Sequence, residues 1–564
     1  MLPAGGRVVV IGAGASGLVA VKTLAACGYA VTCLEANPTL GGAFVTKAYD
    51  DAQLVSSRFI TPFSDFRMPP GTKDHPTLPE YVAYLEDYAV HFSLAPMIRF
   101  GCKVDRVVRT DVGYTVAFAG ETISCGAVCV CSGLHNVASV PSLPGFTGTA
   151  LHSSQYKAQS IFAGKRVLVV GCGETGLDMV HRAVLAPAIA CTLLVRRGFV
   201  SVPAGGAGVG VPLDSMITNL FESSYVHPWL EWSRLRWVVT THAIRLGFGL
   251  ATGTRCGFNQ WAGGFPPHQV KRGHHIINKS TKAMPYINQP IKRQSWLGRT
   301  LWAWADKWQC DGVQPPTGLD VDVVRGGIRC ADGKTITFDD GTQAVYDLVL
   351  FATGYKQTFP FLRAQTASAA DDLDDLLPNE HNICFTADPT LAYVGFVRPN
   401  VGAIPPMSEM QVFWWIERLR GHIASPTTPP RYRLLGGTSR TAAYACDYGL
   451  YMHELGSDIG AVPDVWCWLF KSWRTAVAYS MGQAYITFFR LDGPFADPSA
   501  VRISETELYA PVTNRAVASN VLFGGLAAIF GFLSLVCWVV ERVLIWAVGV
   551  YAVLANHAHR HIVP

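Results

Sequence analysis

The chain has 564 residues, enough for several folded units at roughly 150 residues each, so it is not a small stapled scaffold. Lys+Arg 46 against Asp+Glu 41 leaves a net charge of +5, and basic runs such as Arg196-Arg197 and Lys271-Arg272 are too short for a nucleic-acid footprint. Hydrophobic residues make up 49% but charged residues only 15%, under the roughly 25% of an ordinary soluble domain, which excludes disorder and points to surface that does not face water.

The chain opens almost directly on a predicted strand, Arg7 to Ile11, with no basic region leading into an apolar stretch and cleavage site, so the catalytic part is expected in the cytosol. The 15 cysteines include no CxxC pair, which fits a reducing compartment. Cys125, Cys129 and Cys131 alternate with apolar neighbours as in a strand, and no metal site is expected.

Two segments begin alike, RVVVIGAGASGL from Arg7 and RVLVVGCGETGL from Arg166, each a β-branched strand, a glycine-rich turn and a helical pattern. Second strands follow, ending at Glu35 and Val195, so both read as βαβ units. In Gly12-x-Gly14-x-x-Gly17 the first glycine permits a tight turn, the second lets the backbone approach a pyrophosphate, and the third lets helix and strand pack closely. Glu35, at the end of the next strand, is placed to bind the two hydroxyls of an adenosine ribose, and Gly41-Gly42 follows as in many FAD-binding proteins. The second cradle, Gly171-x-Gly173-x-x-Gly176, has Arg196-Arg197 where the first has its acid. Guanidinium groups bind a 2′-phosphate that a carboxylate would repel, so the expected pair is FAD at the first cradle and NADPH at the second.

From about Gly205 to Cys330 the sequence is loose and rich in glycine, tryptophan and histidine, with an apolar helical stretch from Trp237 to Leu250, and reads as an insertion. Strand character returns at Lys334 to Phe338 and Asp347 to Ala352, and Asp371, Asp372, Asp374 and Asp375 read as a solvated loop. The tryptophans Trp414, Trp415, Trp466, Trp468 and Trp473 suit either a membrane-facing surface or aromatic core. From Ala516 to Val540 no charge occurs, which exceeds the roughly 20 residues needed to cross a hydrocarbon core and reads as a membrane-spanning helix rather than a buried one. Glu541-Arg542 interrupts it, leaving Val543 to Leu554 either along the interface or as an extension. The tail from His557 to His561 is too weakly charged to set a side.

One cradle for FAD and one for NADPH imply hydride transfer from nicotinamide to flavin. No cysteine pair is placed to receive the electrons, which leaves oxygen as the acceptor.

Between the cradles, Phe146-Thr147-Gly148 followed by His152-Ser153-Ser154-Gln155-Tyr156 matches the identifying sequence FxGxxxH(S/T)xx(Y/F) of flavin-containing monooxygenases. Phe351-Ala352-Thr353-Gly354-Tyr355 resembles the family's FATGY link region, and Gly402 to Gln411 resembles the stretch that approaches the flavin. Baeyer-Villiger monooxygenases continue the identifying sequence with Trp-Pro, where this chain has Tyr156-Lys157, so the resemblance favours the N- and S-oxygenating branch.

The resemblance implies an α/β fold of two Rossmann-like dinucleotide-binding domains plus a C-terminal membrane-anchoring helix. It divides the chain into residues 1–160 and 336–515 for FAD, 161–335 for NADPH with the insertion, and 516–564 for the anchor. It implies cofactor contacts at Gly12, Gly14, Gly17, Glu35, Gly42, Gln411, Gly171, Gly173, Gly176, Arg196 and Arg197. The implied reaction is transfer of one oxygen atom of O2 to a nitrogen or sulfur of a lipophilic small molecule through a flavin hydroperoxide, on a membrane such as the endoplasmic reticulum. A Baeyer-Villiger ketone oxygenation is the neighbouring alternative.

The family commonly carries an Asn facing the flavin ahead of Phe63-Ser64-Asp65-Phe66; here Val55 takes its place, with Ser56 or Ser57 able to donate after a shift of register. That departure keeps an uncoupled NADPH oxidase producing H2O2 open. His152 reads either as a positioning residue near the nucleotide or as a proton carrier.

Overall fold

The computed structural model describes residues 2–201, 211–216, 227, 229–230, 238, 271, 277–280, 282–287, 296, 319–365, 378–436, 444–515 and 517–560. The Trp237 to Leu250 stretch, the acidic run at Asp371 to Asp375 and most of the insertion lie outside the described residues, apart from the short pieces named here.

Two sheets organise the chain. Their strands, in chain order, are β1 (Arg7–Ile11), β2 (Ala30–Leu34), β3 (Ile98–Arg99), β4 (Ala127–Val130), β5 (Thr149–His152), β6 (Arg166–Val170), β7 (Ala190–Val195), β8 (Val321–Arg325), β9 (Leu348–Phe351), β10 (Cys384–Phe385) and β11 (Asp388–Tyr393). The first sheet runs β10-β11-β4-β1-β2-β3, parallel except for the β10–β11 pair. The second runs β8-β7-β6-β9-β5 and is parallel throughout. Val8, Val9 and Val10 in β1 and Val167, Leu168 and Val169 in β6 are sealed from solvent because both faces are covered: Val8, Val10, Val167 and Val169 pack on the helix side, while Val9 packs with Val116 and Phe118, and Leu168 with Ile336 and Phe338, of small antiparallel sheets.

The expected domain boundaries differ from this topology. β5 lies before residue 161 and β9 after residue 335, yet both belong to the second sheet, with Leu348 to Phe351 in register with Val167 to Val170 and with Thr149 to His152. Apolar patterning identifies a strand but carries no information about which sheet it joins. Cys125 and Cys129 lie in strands and Cys131 directly follows one, and the described cysteines are free, with no metal-binding cluster among the described residues.

The helices that place the site are α1 (Ala15–Ala26), α2 (Glu174–Leu185), α3 (Ile404–Arg420) and α4 (Val517–Arg560). α3 opens with prolines in its first turn, ends at Gly421 in the left-handed conformation (φ 78°), and lies in the core against α1, where Ser16 and Ser408 share a 2.8 Å hydrogen bond. Trp414 and Trp415 are fully buried, donating to Asp458 and to the Pro389 carbonyl, and Trp468 is buried and donates to Asp492. These three are core, whereas Trp466 and Trp473 are exposed beside Phe470.

α4 is one continuous helix. Glu541-Arg542 does not break it, Val543 to Leu554 extends it, and its candidate membrane span is Ala528–Val550. Glu541 faces His227 of the insertion, 3.4 Å away, while Phe530 and Ser534 are buried and Ser534 accepts a hydrogen bond from the His227 backbone.

Candidate active site

The glycine turns are demanded by close approach. Gly12 has φ 103°, and a side chain there would meet the Cys131 carbonyl at 2.7 Å; one on Gly17 would overlap the Gly12 carbonyl. The second turn repeats this: Gly171 has φ 113°, a side chain there would meet the Ala352 carbonyl at 2.5 Å, and one on Gly176 would overlap the Gly171 carbonyl. Gly14 and Gly173 occupy the cap positions of α1 and α2, and neither helix start has a side-chain cap. Helix Leu78–His91 shows the contrast, closed by a capping box between Thr77 and Glu80. The first N–H groups of α1 and α2 thus face open cradles, the arrangement that receives a phosphate.

Glu35 is buried at the first cradle, where it accepts from the Ala13 N–H at 2.6 Å and from the backbone and side chain of Asn37. These three bonds fix the carboxylate beside the turn and leave one lone pair, on Oε2, for a further donor. Gly42 faces Gly14 across the cradle. At the second cradle Arg196 and Arg197 follow β7 on the surface, and the Arg196 charge is felt at Cys172 in the turn.

Gln411, one of the expected cofactor contacts, lies in the core, where its carbonyl accepts from Gly395 N–H at 2.8 Å and its amide donates to Tyr451. Gly402, earlier in the same motif and before the first turn of α3, is buried against Tyr448.

The loop around Ser56 and Ser57 is held from beneath. Glu409 accepts from the backbone and hydroxyl of Ser64, at 2.9 and 2.6 Å, and Asp65 pairs with Lys22 and Arg490. Burial, reinforced by the Asp65 charge, raises the Glu409 pKa. Above this platform Val55 is exposed, Ser56 takes the Thr61 hydroxyl at 2.8 Å, and Ser57 is buried with an unpartnered hydroxyl. Of the three positions considered for the missing Asn, only Ser57 has a side-chain hydroxyl without a hydrogen-bond partner.

Two residues here had no sequence signal. Asp214 accepts from the Ser57 N–H at 2.7 Å, and Lys279 lies 4.0 Å from Asp214 and donates to the Gly402 carbonyl at 3.3 Å. Both come from the loosely patterned insertion, where single charges in a glycine-rich background carry no periodicity.

His152 is buried at the end of β5, paired with Phe351 of β9 in the second sheet. Its Nδ1 accepts from the Ser154 N–H at 3.1 Å and its Nε2 donates to the Gly354 carbonyl at 3.0 Å, joining the identifying sequence to the FATGY segment. Burial lowers its pKa, so the neutral ring that makes both bonds is favoured.

A family model described as flavin-binding monooxygenase-like matches residues 5–243 and 320–540. This chain belongs to that family. Monooxygenase PC-14 of Penicillium crustosum is 34% identical over 94% of this chain and 97% of its own, and monooxygenase ptmN of Penicillium ochrochloron is 35% identical over 90% of each. Among solved structures, the S-allyl-L-cysteine S-oxygenase of Allium sativum superposes with a TM-score of 0.52 at 16% identity, covering 83% of this chain and 91% of that one, a likeness of fold. The flavin-binding monooxygenase-like family uses FAD and NADP, and the two open, uncapped cradles of this member fit two dinucleotides.

Proposed function

We propose that the chain is an NADPH- and FAD-dependent monooxygenase that places one oxygen atom of O2 on a nitrogen or sulfur of a lipophilic small molecule, the other leaving as water. The observation that carries this reading is the asymmetry of two otherwise matching cradles, with Glu35 at one and Arg196-Arg197 at the other, inside a monooxygenase fold. Bound FAD, reduced by NADPH, supplies the oxygen chemistry.

The chain's own residues bind, orient and exclude water. The α1 N-terminus with Gly12, Gly14, Gly17 and Gly42 holds the FAD pyrophosphate, and Glu35 holds its ribose. The α2 N-terminus with Gly171, Gly173 and Gly176 holds that of NADPH, with Arg196 and Arg197 on the 2′-phosphate. Ser57 supplies the hydroxyl that substitutes for the family Asn after a shift of register, on a loop fixed by Glu409 and Arg490. Ser57, Asp214 and Ser215 are sealed from solvent, a dry setting that favours oxygen transfer over premature release as peroxide. α4 tethers the enzyme to a membrane where lipophilic substrates concentrate, with the catalytic part in the cytosol.

A second reading, an NADPH oxidase releasing H2O2, is favoured by Val55 at the Asn position. The cofactor assignment is tested by anaerobic mixing of the purified flavoprotein with NADPH or NADH while following flavin absorbance. Rapid bleaching by NADPH and slow bleaching by NADH is expected; equal rates, or no bleaching, would overturn the assignment.

A further inference from the structure

Ser57 is gripped through its backbone on both sides. Its carbonyl accepts from the N–H groups of Ile60 and Thr61, at 3.2 and 3.0 Å, within its own loop. Its N–H goes elsewhere, to Oδ2 of Asp214 in the insertion, at 2.7 Å. With the peptide planes on either side of its Cα fixed, only rotation about χ1 is left to aim the unpartnered Ser57 hydroxyl. The tie on the N–H side is therefore made by a residue outside the loop.

Asp214 is itself fastened from several directions. It lies in the short turn Leu213–Ser215, closed by bonds from Ser215 N–H to the Pro212 carbonyl and from Met216 N–H to the Leu213 carbonyl, both 3.0 Å. Gln483 donates to the Asp214 carbonyl at 3.4 Å, and Arg515, at the root of α4, donates to the Ser215 carbonyl. Lys279 Nζ stands 4.0 Å from the Asp214 carboxylate, a charge partner beyond hydrogen-bond distance that is tied to the Gly402 carbonyl at 3.3 Å. Asp214 is 1% exposed, and an ionised carboxylate in such a place is costly unless paired and bonded. The turn does not need it, since none of the turn's own bonds uses the carboxylate. What the carboxylate supplies is a charge-assisted bond to the Ser57 N–H, about twice as strong as a neutral one.

We propose that Asp214 is a positioning residue for the oxygenation: it fixes the Ser57 backbone so that the Ser57 hydroxyl can substitute for the family Asn, an inference that rests on the monooxygenase reading. Productive turnover takes NADPH, a proton, O2 and the substrate to NADP+, water and the oxygenated substrate. Without transfer, the same NADPH, proton and O2 give NADP+ and H2O2. Loss of the Asp214 tie frees the backbone at Ser57 and diverts turnover from the first outcome to the second. Because Asp214 acts through Ser57, its removal alters this partition only while the Ser57 hydroxyl is present.

The test combines amide hydrogen exchange with product partition in the full-length flavoprotein. In Asp214→Ala the Ser57 amide is expected to exchange roughly tenfold faster than in the wild type, with the amides of β1 and α2 unchanged. With NADPH and methyl phenyl sulfide, the share of NADPH recovered as H2O2 should rise several-fold at an unchanged KM for NADPH. Asp214→Asn, whose amide oxygen still accepts the N–H, should recover most of the wild-type partition. Ser57→Ala, alone or combined with Asp214→Ala, should give one and the same H2O2 share, since no hydroxyl remains to be positioned. Asp214→Ala with Lys279→Met, which leaves no buried ammonium without its charge partner, should match Asp214→Ala and guards against misfolding by an isolated charge. Unchanged exchange at Ser57, or an H2O2 share that Asp214→Ala raises further in the Ser57→Ala background, would overturn the proposal. A wild type that returns all its NADPH as H2O2 would instead overturn the monooxygenase reading beneath it.

Discussion

Tyr49 donates its hydroxyl hydrogen to Asp178 at 2.7 Å, fastening the loop that follows the first cradle to the first helix of the second. Arg182 bonds the same carboxylate at 3.0 Å and stacks over the Tyr49 ring, whose other side meets Tyr156 edge-on. Burial and the Asp178 charge raise the Tyr49 pKa, so the phenol stays a donor throughout the working range. Tyr49→Phe keeps the ring packing and removes one bond to a charged partner. Urea unfolding is expected to show a loss of about 1–2 kcal/mol. Slower flavin reduction at unchanged NADPH affinity should accompany it, because the two nucleotide units lose a shared fixed point. An unaltered unfolding curve would mean the latch holds nothing.

Replacing Arg196 and Arg197 together with alanine should raise the KM for NADPH roughly 10- to 100-fold, the scale of one or two charge-assisted pairs, and change that for NADH little. Steady-state kinetics with both nucleotides decides this. An equal loss for the two would remove the 2′-phosphate from Arg196 and Arg197.

Acid should destabilise the fold through a buried histidine. His453, bonded to Tyr479 at 2.8 Å, has its pKa pushed down to about 3 by burial. Because the folded value lies below the unfolded value of about 6.5, the unfolded state binds the proton first. Stability is therefore full above about pH 6.5 and falls progressively as the pH drops toward the folded value. Chemical unfolding measured across that window should show the decline, and His453→Gln should flatten it. A variant profile parallel to the wild type would assign the decline elsewhere.

A chain ending just after Val517 should leave the membrane pellet for the soluble fraction with its flavin bound, while the full chain stays in the pellet after a salt wash. The exposed Trp466, Phe470 and Trp473 provide the contrary outcome: if the shortened protein still pellets, attachment resides on the body rather than on α4.

The cradles were legible in the sequence because glycine spacing there is a backbone requirement: Gly12 and Gly171 pass beneath a carbonyl where no side chain fits. β1, β6 and β7 were legible because β-branched runs buried on both faces have few other readings. The sheet that β5 and β9 join was not, since pairing partners depend on crossover connections. The core partners of Gln411, Gly395 and Tyr451, were not legible either, since a polar residue in a motif does not announce which backbone it bonds. The continuity of α4 was hidden by Glu541, whose partner His227 lies more than three hundred positions away. Asp214 and Lys279 were invisible for the same reason, brought together only by the folded insertion.

The measurement closest to the proposed reaction is turnover of the full-length protein with NADPH and methyl phenyl sulfide under 18O2, with H2O2 quantified alongside. One 18O atom in the sulfoxide is expected, with most NADPH consumed in forming it, and Ser57→Ala should shift consumption several-fold toward H2O2 while Ser56→Ala, whose wild-type hydroxyl is already paired with Thr61, should not. NADPH consumed with stoichiometric H2O2 and no labelled sulfoxide would contradict the monooxygenase reading and leave the oxidase.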